Sequence, residues 1–273
     1  MPTGKCPLCL LEKELIRSHL APAALYSSCR TPQSQPVIVT PEAVVQSSRQ
    51  WQDYLLCGEC DNSFSRRGER WVLPLLARSD GSFPLYATLT KGQPELVEGG
   101  TALYAAAKNP GIDVAKLTHF AMGIFWKASV YSWSRERNAP PIDLGKHGEE
   151  VRRFLRAEGC FPERMALIVG VSPPPIMPTF NMPYLDSAEG FHSFLLHVPG
   201  INFALHVGNS LPTELKRTCF ASHPLHPIIV SGELPRANLE FFKGVAAPAH
   251  KAKGLLRYMN QSEEFLNYLK KGK

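Results

Sequence analysis

The sequence predicts an α+β protein that consists of a small zinc-stapled module at residues 1–78 and a larger mixed α+β domain at residues 79–273. Three features lead to this prediction. Two Cys-x-x-Cys pairs lie near the N-terminus, one long amphipathic helical pattern occupies the middle of the chain, and apolar runs of strand length follow it. A long helix beside a sheet of several strands is the arrangement that these patterns favour in the larger domain.

The first feature is the pair of cysteine turns, Cys6-x-x-Cys9 and Cys57-x-x-Cys60. Each turn presents two thiolates, and four sulfurs at about 2.3 Å complete the tetrahedral coordination of a structural zinc ion. The interval between the pairs is longer than the roughly fifteen to twenty residues of a simple zinc ribbon, so a segment is looped out between them. The alternative is four unliganded core thiols. The pattern predicts structural Zn²⁺ bound by these four cysteines.

The elements of the small module follow from turn residues and hydrophobic patterning. The stretch before His19 lacks helix signals, and Pro22 restricts the chain just after it. A segment rich in Ser, Pro, Gln and Thr then predicts a long loop that holds one short strand. Phe64 and Trp71 are spaced as on one face of a helix that begins at the second cysteine turn. The predicted order is an extended segment, a loop, a second extended segment and a helix, at residues 10–19, 29–50, 51–56 and 61–71.

The larger domain is predicted around the helix Asp113–Trp133, in which apolar residues recur at intervals of three and four. His119 lies off this apolar stripe, which predicts a position at the surface. A strand at residues 85–89 is predicted before the helix. The remaining predictions are helices at residues 148–157 and 263–270, and strands at residues 165–171, 194–198, 201–207 and 228–230.

Composition and charge limit the classes of protein. The chain has 273 residues, of which 44% are hydrophobic, so it is long enough to bury a substantial core. No apolar run is long enough for a membrane span, and early acidic residues argue against a signal peptide. Seven cysteines, an odd number, suit metal ligation in a reducing compartment. We therefore expect a cytoplasmic protein with no membrane partner.

The net charge of +6 permits a nucleic-acid partner without requiring one. Lysine and arginine are concentrated in the last segment, Lys243–Lys273, which has few acidic residues. This segment is either an edge that faces phosphate groups or a solvated basic tail.

The motifs of the small module occur in a specific order. Cys-x-x-Cys is followed by Ser18-His19-x-x-Pro22, then by Leu-Leu-Cys-x-x-Cys and at once by Asp61-Asn62. This order resembles the zinc-stapled branch of the HNH endonuclease superfamily, over about the first seventy-five residues. The resemblance implies a ββα-metal core, in which a catalytic histidine on a β-hairpin faces the N-terminus of a helix.

The resemblance also implies roles for individual residues. His19 corresponds to the general base that activates water, and Asn62 to a ligand of a catalytic Mg²⁺ or Mn²⁺ ion. These residue types suit the roles, because imidazole accepts a proton near pH 7 and hard cations prefer oxygen ligands. Ser18 stands where the family commonly has an acidic ligand. Glu69 or Asp61 is then the candidate for the missing carboxylate.

Each candidate also has a purely structural explanation. His19 can hydrogen-bond across the hairpin and hold the loop. Asn62 can serve as an ordinary helix N-cap, a position where asparagine is favoured. Glu69 can be a solvated residue of the helix surface.

The function implied by the resemblance is metal-dependent hydrolysis of phosphodiester bonds in DNA by an HNH-type endonuclease, with zinc structural and Mg²⁺ or Mn²⁺ catalytic. The resemblance also implies a bacterial or phage-related setting, such as defence against foreign DNA. The alternative is a catalytically inactive zinc module that binds nucleic acid or protein. By analogy, the larger domain binds a target, a protein partner or a second copy of the chain.

Overall fold

The computed structural model describes residues 1–30, 36–40, 43–133, 142–176, 178–187 and 190–247, and the backbone of residues 251–252. It is an α+β protein with a cysteine cluster near the N-terminus and a larger sheet-rich part, which confirms the predicted fold class. The predicted helix at residues 263–270 and most of the basic segment Lys243–Lys273 lie outside the described residues.

The N-terminal part has two antiparallel hairpins and one interrupted helix. The elements are β1 (Thr3–Lys5), β2 (Glu12–His19), α1 (Ala23–Ser28), β3 (Val37–Val39), β4 (Ala43–Gln46), β5 (Gln52–Cys57), α2 (Gly58–Phe64), a π-helical turn (Ser65–Glu69), α3 (Arg70–Val72) and a 3₁₀ turn (Leu73–Leu75). Strands β1, β2 and β5 form one antiparallel sheet in that order. The chain passes from β5 directly into α2, so the sheet and the helix share the second cysteine turn.

The larger part contains one long helix and one large sheet. The elements are α4 (Pro84–Leu89), β6 (Leu96–Glu98), β7 (Thr101–Ala105), α5 (Val114–Val130), α6 (Gly148–Leu155), β8 (Met165–Val171), β9 (Tyr184–Ser187), β10 (His192–Val198), β11 (Ile201–Val207), α7 (Thr213–Arg217), β12 (Pro227–Ser231), α8 (Glu233–Ala246) and β13 (Lys251–Ala252), with 3₁₀ turns at Ala106–Lys108 and Gly145–His147.

Seven strands form the main sheet, in the order β6-β7-β12-β8-β11-β10-β9. Strands β8 and β12 run parallel, and the other neighbouring pairs run antiparallel. The hairpin β10–β11 turns at Pro199-Gly200, where Gly200 has a positive φ of 87°. Strand β13 joins the β3–β4 hairpin in a third sheet.

Helix α5 is the central element. Asp113 caps its N-terminus, because its side chain accepts a hydrogen bond of 3.0 Å from the backbone N–H of Lys116. All residues from Leu117 to Ala128 are buried, so the helix is covered around its whole circumference. His119 is buried as well, with 2% of its surface exposed, and the surface position expected for it is wrong.

Two aromatic contacts show what covers helix α5. The ring of Trp126 stacks on Phe64 of α2 with centroids 6.2 Å apart, and Phe120 lies 6.2 Å from Phe203 of β11. Buried residues before and after residue 78 therefore belong to one contiguous hydrophobic cluster. The division of the chain into two domains at residue 78 stays a prediction.

Several elements differ from the sequence-based expectation. Residues 84–89 form a helix rather than a strand, because Pro84 occupies the first helical turn, where a missing N–H costs nothing. The hairpin β6–β7 and helix α8 have weak signals in the sequence. Leu96 and Val97 are consecutive apolar residues, and both are exposed on the edge strand β6. The strand therefore lacks the alternation of apolar and polar residues that indicates a half-buried strand.

Two glycines allow the interrupted helix and α5 to pack closely. A Cβ atom on Gly68 would lie 2.9 Å from the backbone nitrogen of Phe120, and one on Gly123 would lie 2.8 Å from the Phe64 ring. Contacts below 3.0 Å are not tolerated by real Cβ atoms. The backbone of α5 cannot move away from an added Cβ atom, because the helix is packed on both sides.

We predict that Gly68→Ala lowers the free energy of unfolding by about 1–3 kcal/mol, the usual cost of overpacking a filled interior. The matched control is Gly244→Ala on helix α8, where a Cβ atom meets nothing within 4 Å. That control should be neutral or slightly stabilising, because alanine is the better helix former. Urea denaturation of both variants tests the packing, and equal stability of Gly68→Ala and the wild type would contradict it.

Candidate metal centre and adjoining polar site

The four cysteines of the two turns converge on one point. The Sγ atoms of Cys6, Cys9, Cys57 and Cys60 all lie within 4.8 Å of one another, and three of these residues are buried. Within the part of the chain that the structure describes, no other group of three or more His, Cys, Asp or Glu ligand atoms converges in this way. The cluster is compatible with a structural zinc ion or another metal that prefers thiolate ligands.

The first cysteine turn is closed by backbone hydrogen bonds. The N–H of Leu10 donates to the carbonyl of Cys6 at 2.8 Å, and the N–H of Cys6 donates to the carbonyl of Leu11 at 3.0 Å. Leu10 has a positive φ of 64°, which the turn imposes on a residue that is not glycine. The guanidinium of Arg152 on α6 donates to the carbonyl of Leu8 at 2.7 Å. The larger part of the chain therefore braces this turn.

The second cysteine turn joins strand β5 to helix α2. Cys57 is the last residue of the strand and Cys60 lies in the first turn of the helix. The backbone N–H of Cys57 points at Cys6 Sγ, at 3.4 Å, and Cys9 Sγ lies 4.0 Å from Cys57 Sγ. The two turns therefore contact each other directly through protein atoms.

The thiols of the cluster are electrostatically unequal. Hydrogen bonding with Cys60 lowers the pKa of Cys6 to about 4, and the same interaction raises the pKa of Cys60. Burial raises the pKa of Cys57. The lowered pKa favours the thiolate form of Cys6, which is the ionisation state that metal ligation requires.

The predicted site residue His19 lies at the end of strand β2, where it pairs with Gln52 of β5. Its Nε2 atom is 2.7 Å from Oε1 of Gln50. An amide oxygen can only accept a hydrogen bond, so this contact suits the tautomer that carries its proton on Nε2 and leaves the Nδ1 lone pair available. The backbone carbonyl of His19 accepts a hydrogen bond of 2.9 Å from Nζ of Lys127.

Glu69 lies at the end of the π-helical turn that follows α2. Its Oε1 atom is 3.6 Å from Nζ of Lys127, so one ammonium group stands between Glu69 and the carbonyl of His19. Burial raises the pKa of Glu69, and the Asp61 carboxylate raises it further, whereas Lys127 opposes the shift. Burial likewise lowers the pKa of Lys127, against the opposing charge of Glu69.

The other candidate ligands lie in different surroundings. Asn62 is exposed on helix α2. Ser18 is fully buried, and its Oγ accepts a hydrogen bond of 3.3 Å from the N–H of Leu56. Asp53, the strand partner of Ser18 on β5, accepts a hydrogen bond of 2.6 Å from the Tyr131 hydroxyl. The structure therefore brings His19 and Glu69 together, and it leaves Asn62 facing outward.

Two residues of this polar site were not found from the sequence. Gln50 lies in the segment that was expected to be a loop, and nothing in the local pattern singles it out. Lys127 belongs to helix α5 and is distant in sequence from His19. The one available signal was a lysine in the middle of an apolar helical run.

No protein-family model, no curated protein and no solved structure matches this chain. None of the helices in the described residues is long and apolar enough to cross a lipid bilayer. The fold and the site define an α+β protein with a four-cysteine, zinc-compatible cluster and a half-buried polar site around His19 and Glu69.

We predict that the purified protein carries about one equivalent of zinc, and that Cys57→Ser lowers both the zinc content and the melting temperature. A structural ion contributes its binding free energy directly to folding, so loss of a ligand weakens both. Elemental analysis and thermal denaturation measure the effects. Cys160→Ser, at an exposed cysteine outside the cluster, is the control and should behave like the wild type. Less than about half an equivalent of zinc in the folded protein would count against the site.

Proposed function

We propose that the protein is a metal-dependent endonuclease of the HNH type, which hydrolyses phosphodiester bonds in DNA. The observation that carries the proposal is the arrangement of His19 and Glu69 on a β2–β5–α2 unit that the cysteine cluster pins at one end. His19 ends one strand and Glu69 lies on the helix that follows the other. Lys127 contacts both residues.

His19 is the general base in this proposal. Its Nδ1 atom has the free lone pair and takes a proton from the attacking water, while Gln50 holds the ring through Nε2. This pairing keeps one tautomer and one ring orientation. A fixed orientation matters because the base must lie within hydrogen-bond reach of the water.

The residues that fit a catalytic cation are the carboxylates of Glu69 and Asp61, which influence each other electrostatically. Both offer the oxygen donors that Mg²⁺ and Mn²⁺ prefer. The amide of Asn62 lies on the same helix and is accessible, whereas Ser18 Oγ is already engaged by Leu56. When bound, the cation would stabilise negative charge on the scissile phosphate.

A DNA substrate is supported by the charge of the helix surface. Arg66 and Arg70 are exposed on the helical stretch that carries Asn62, and neither has an ion-pair partner among the described residues. Unpaired arginines beside a hydrolytic site suit binding to phosphate groups. The cytoplasmic and defence setting, and a role of the larger domain in binding a protein or a second copy, remain part of the proposal.

The second candidate function is a catalytically inactive zinc module that binds nucleic acid or protein. One observation favours it: Ser18 is turned inward and Asn62 outward, so no three-ligand oxygen site is preformed around His19 in the described residues. The two functions share the zinc cluster and differ in whether His19 performs chemistry.

We predict that His19→Ala reduces cleavage of plasmid DNA by at least about 100-fold, the lower range of general-base contributions. The assay contains Mg²⁺ or Mn²⁺ and uses protein with verified zinc content and secondary structure. His192→Ala, an exposed histidine on β10, is the control and should cleave at the wild-type rate. Full activity of His19→Ala would refute the assignment, and absence of cleavage by the wild type would favour the binding module.

We predict that Glu69→Gln and Asp61→Asn raise the Mn²⁺ concentration needed for half-maximal cleavage, because each removes a charged oxygen ligand. Asn62→Ala should have a smaller effect of the same sign, since an amide is a weaker ligand than a carboxylate. Titration of Mn²⁺ at fixed DNA concentration measures all three. An unchanged response in both carboxylate variants would contradict this ligand set.

A further inference from the structure

Lys127 is a charged residue that is buried in the protein. It lies on helix α5, and its side chain is 3% exposed. Its ammonium group has three neighbours: the carbonyl oxygen of His19 at 2.9 Å, Oε1 of Glu69 at 3.6 Å and the ring centroid of Phe64 at 5.0 Å. These partners come from strand β2 and from the helical stretch after β5.

A buried ammonium group is costly unless its partners hold fixed places around it. The hydrogen bond to a carbonyl, the ion pair and the aromatic face together supply that environment. Glu69 depends on Lys127 in the same way. Its carboxylate is largely buried and would be an uncompensated charge without the ammonium group. The ammonium and its neighbours therefore restrict one another's positions.

The end of helix α5 that carries Lys127 is itself anchored. The indole Nε1 of Trp133 donates to the backbone carbonyl of Lys127 at 2.9 Å. Tyr131 donates from its hydroxyl to Asp53 on β5 at 2.6 Å. The same end of the helix thus contacts both strands of the antiparallel β2–β5 pair. Lys127 contacts β2, and Tyr131 contacts β5.

We propose that Lys127 is a positioning residue of the site, which ties the strand end that carries His19 to the helical residue Glu69. This inference rests on the proposed nuclease function. It assigns to helix α5 a part in assembling the site, beyond any role of the larger domain in binding a target. Lys127 is too deeply buried to contact DNA, so it acts through His19 and Glu69.

The kinetic test compares Lys127→Met with Lys116→Met in the full-length protein. Methionine keeps the volume of the buried side chain, and Lys116 is a partly exposed lysine of the same helix, paired with Asp113. We expect Lys127→Met to lower kcat for DNA cleavage by about 100-fold, as for small displacements of catalytic groups. The KM for DNA should stay unchanged, and Lys116→Met should match the wild type. An unchanged kcat, or an effect confined to KM, would overturn the assignment.

A thermal test does not depend on activity. Lys127→Met and Glu69→Gln should each lower the melting temperature, because each leaves one buried partner unsatisfied. The double variant contains neither buried charge, so no charge is left unpaired. Its decrease in melting temperature should therefore be smaller than the sum of the decreases in the two single variants. Additive losses would overturn the tie between Lys127 and Glu69.

The two tests separate this inference from the proposed function. If the wild type does not cleave DNA with any divalent ion, the nuclease proposal fails, and the thermal comparison alone decides whether Lys127 ties the two elements. If the wild type cleaves DNA while Lys127→Met retains full kcat, the nuclease proposal stands and the positioning role fails.

Discussion

Burial of helix α5 on all sides is the constraint on which the rest of the structure depends. The interrupted helix of the N-terminal part covers one side, through Phe64, and the main sheet covers another, through Phe203. Close approach on the first side requires glycine at positions 68 and 123. Because one helix fills the interior of both parts, its side chains can reach groups that are far apart in sequence.

The β2–β5–α2 unit is held at both ends by different physical means. At one end, the four cysteine sulfurs converge, and Arg152 braces the first turn from outside. At the other end, Lys127 of α5 and Tyr131, the residue that follows α5, contact the two strands. A structural ion would fix the distance between the turns. The helix fixes the position of the strand ends, where His19 lies.

The polar site is electrostatically demanding because the ammonium group of Lys127 and most of the Glu69 side chain are removed from water. In a low-dielectric interior, charge interactions are stronger and unpaired charges are costlier than in water. Lys127 and Glu69 therefore shift each other's pKa, and the charge of the nearby Asp61 carboxylate contributes to both shifts. Gln50 Oε1 lies within hydrogen-bond distance of His19 Nε2 in the same region. The ion pair and the hydrogen bonds make the positions of these side chains depend on one another.

The sequence by itself determined the α+β class, the convergence of the cysteine turns, and the existence of helix α5 and strands β8, β10, β11 and β12. The helix and the strands follow from periodicity within a short window of sequence, and the convergence of the cysteine turns follows from the four thiolate ligands that a tetrahedral metal site requires. Only the tertiary structure decided the rest: the inward turn of Ser18, the outward position of Asn62, the burial of His119 and the contacts of Lys127. These depend on which surfaces pack against each other. Lys127 meets His19 because the C-terminal end of α5 packs beside strand β2, and no pattern within either segment encodes that contact.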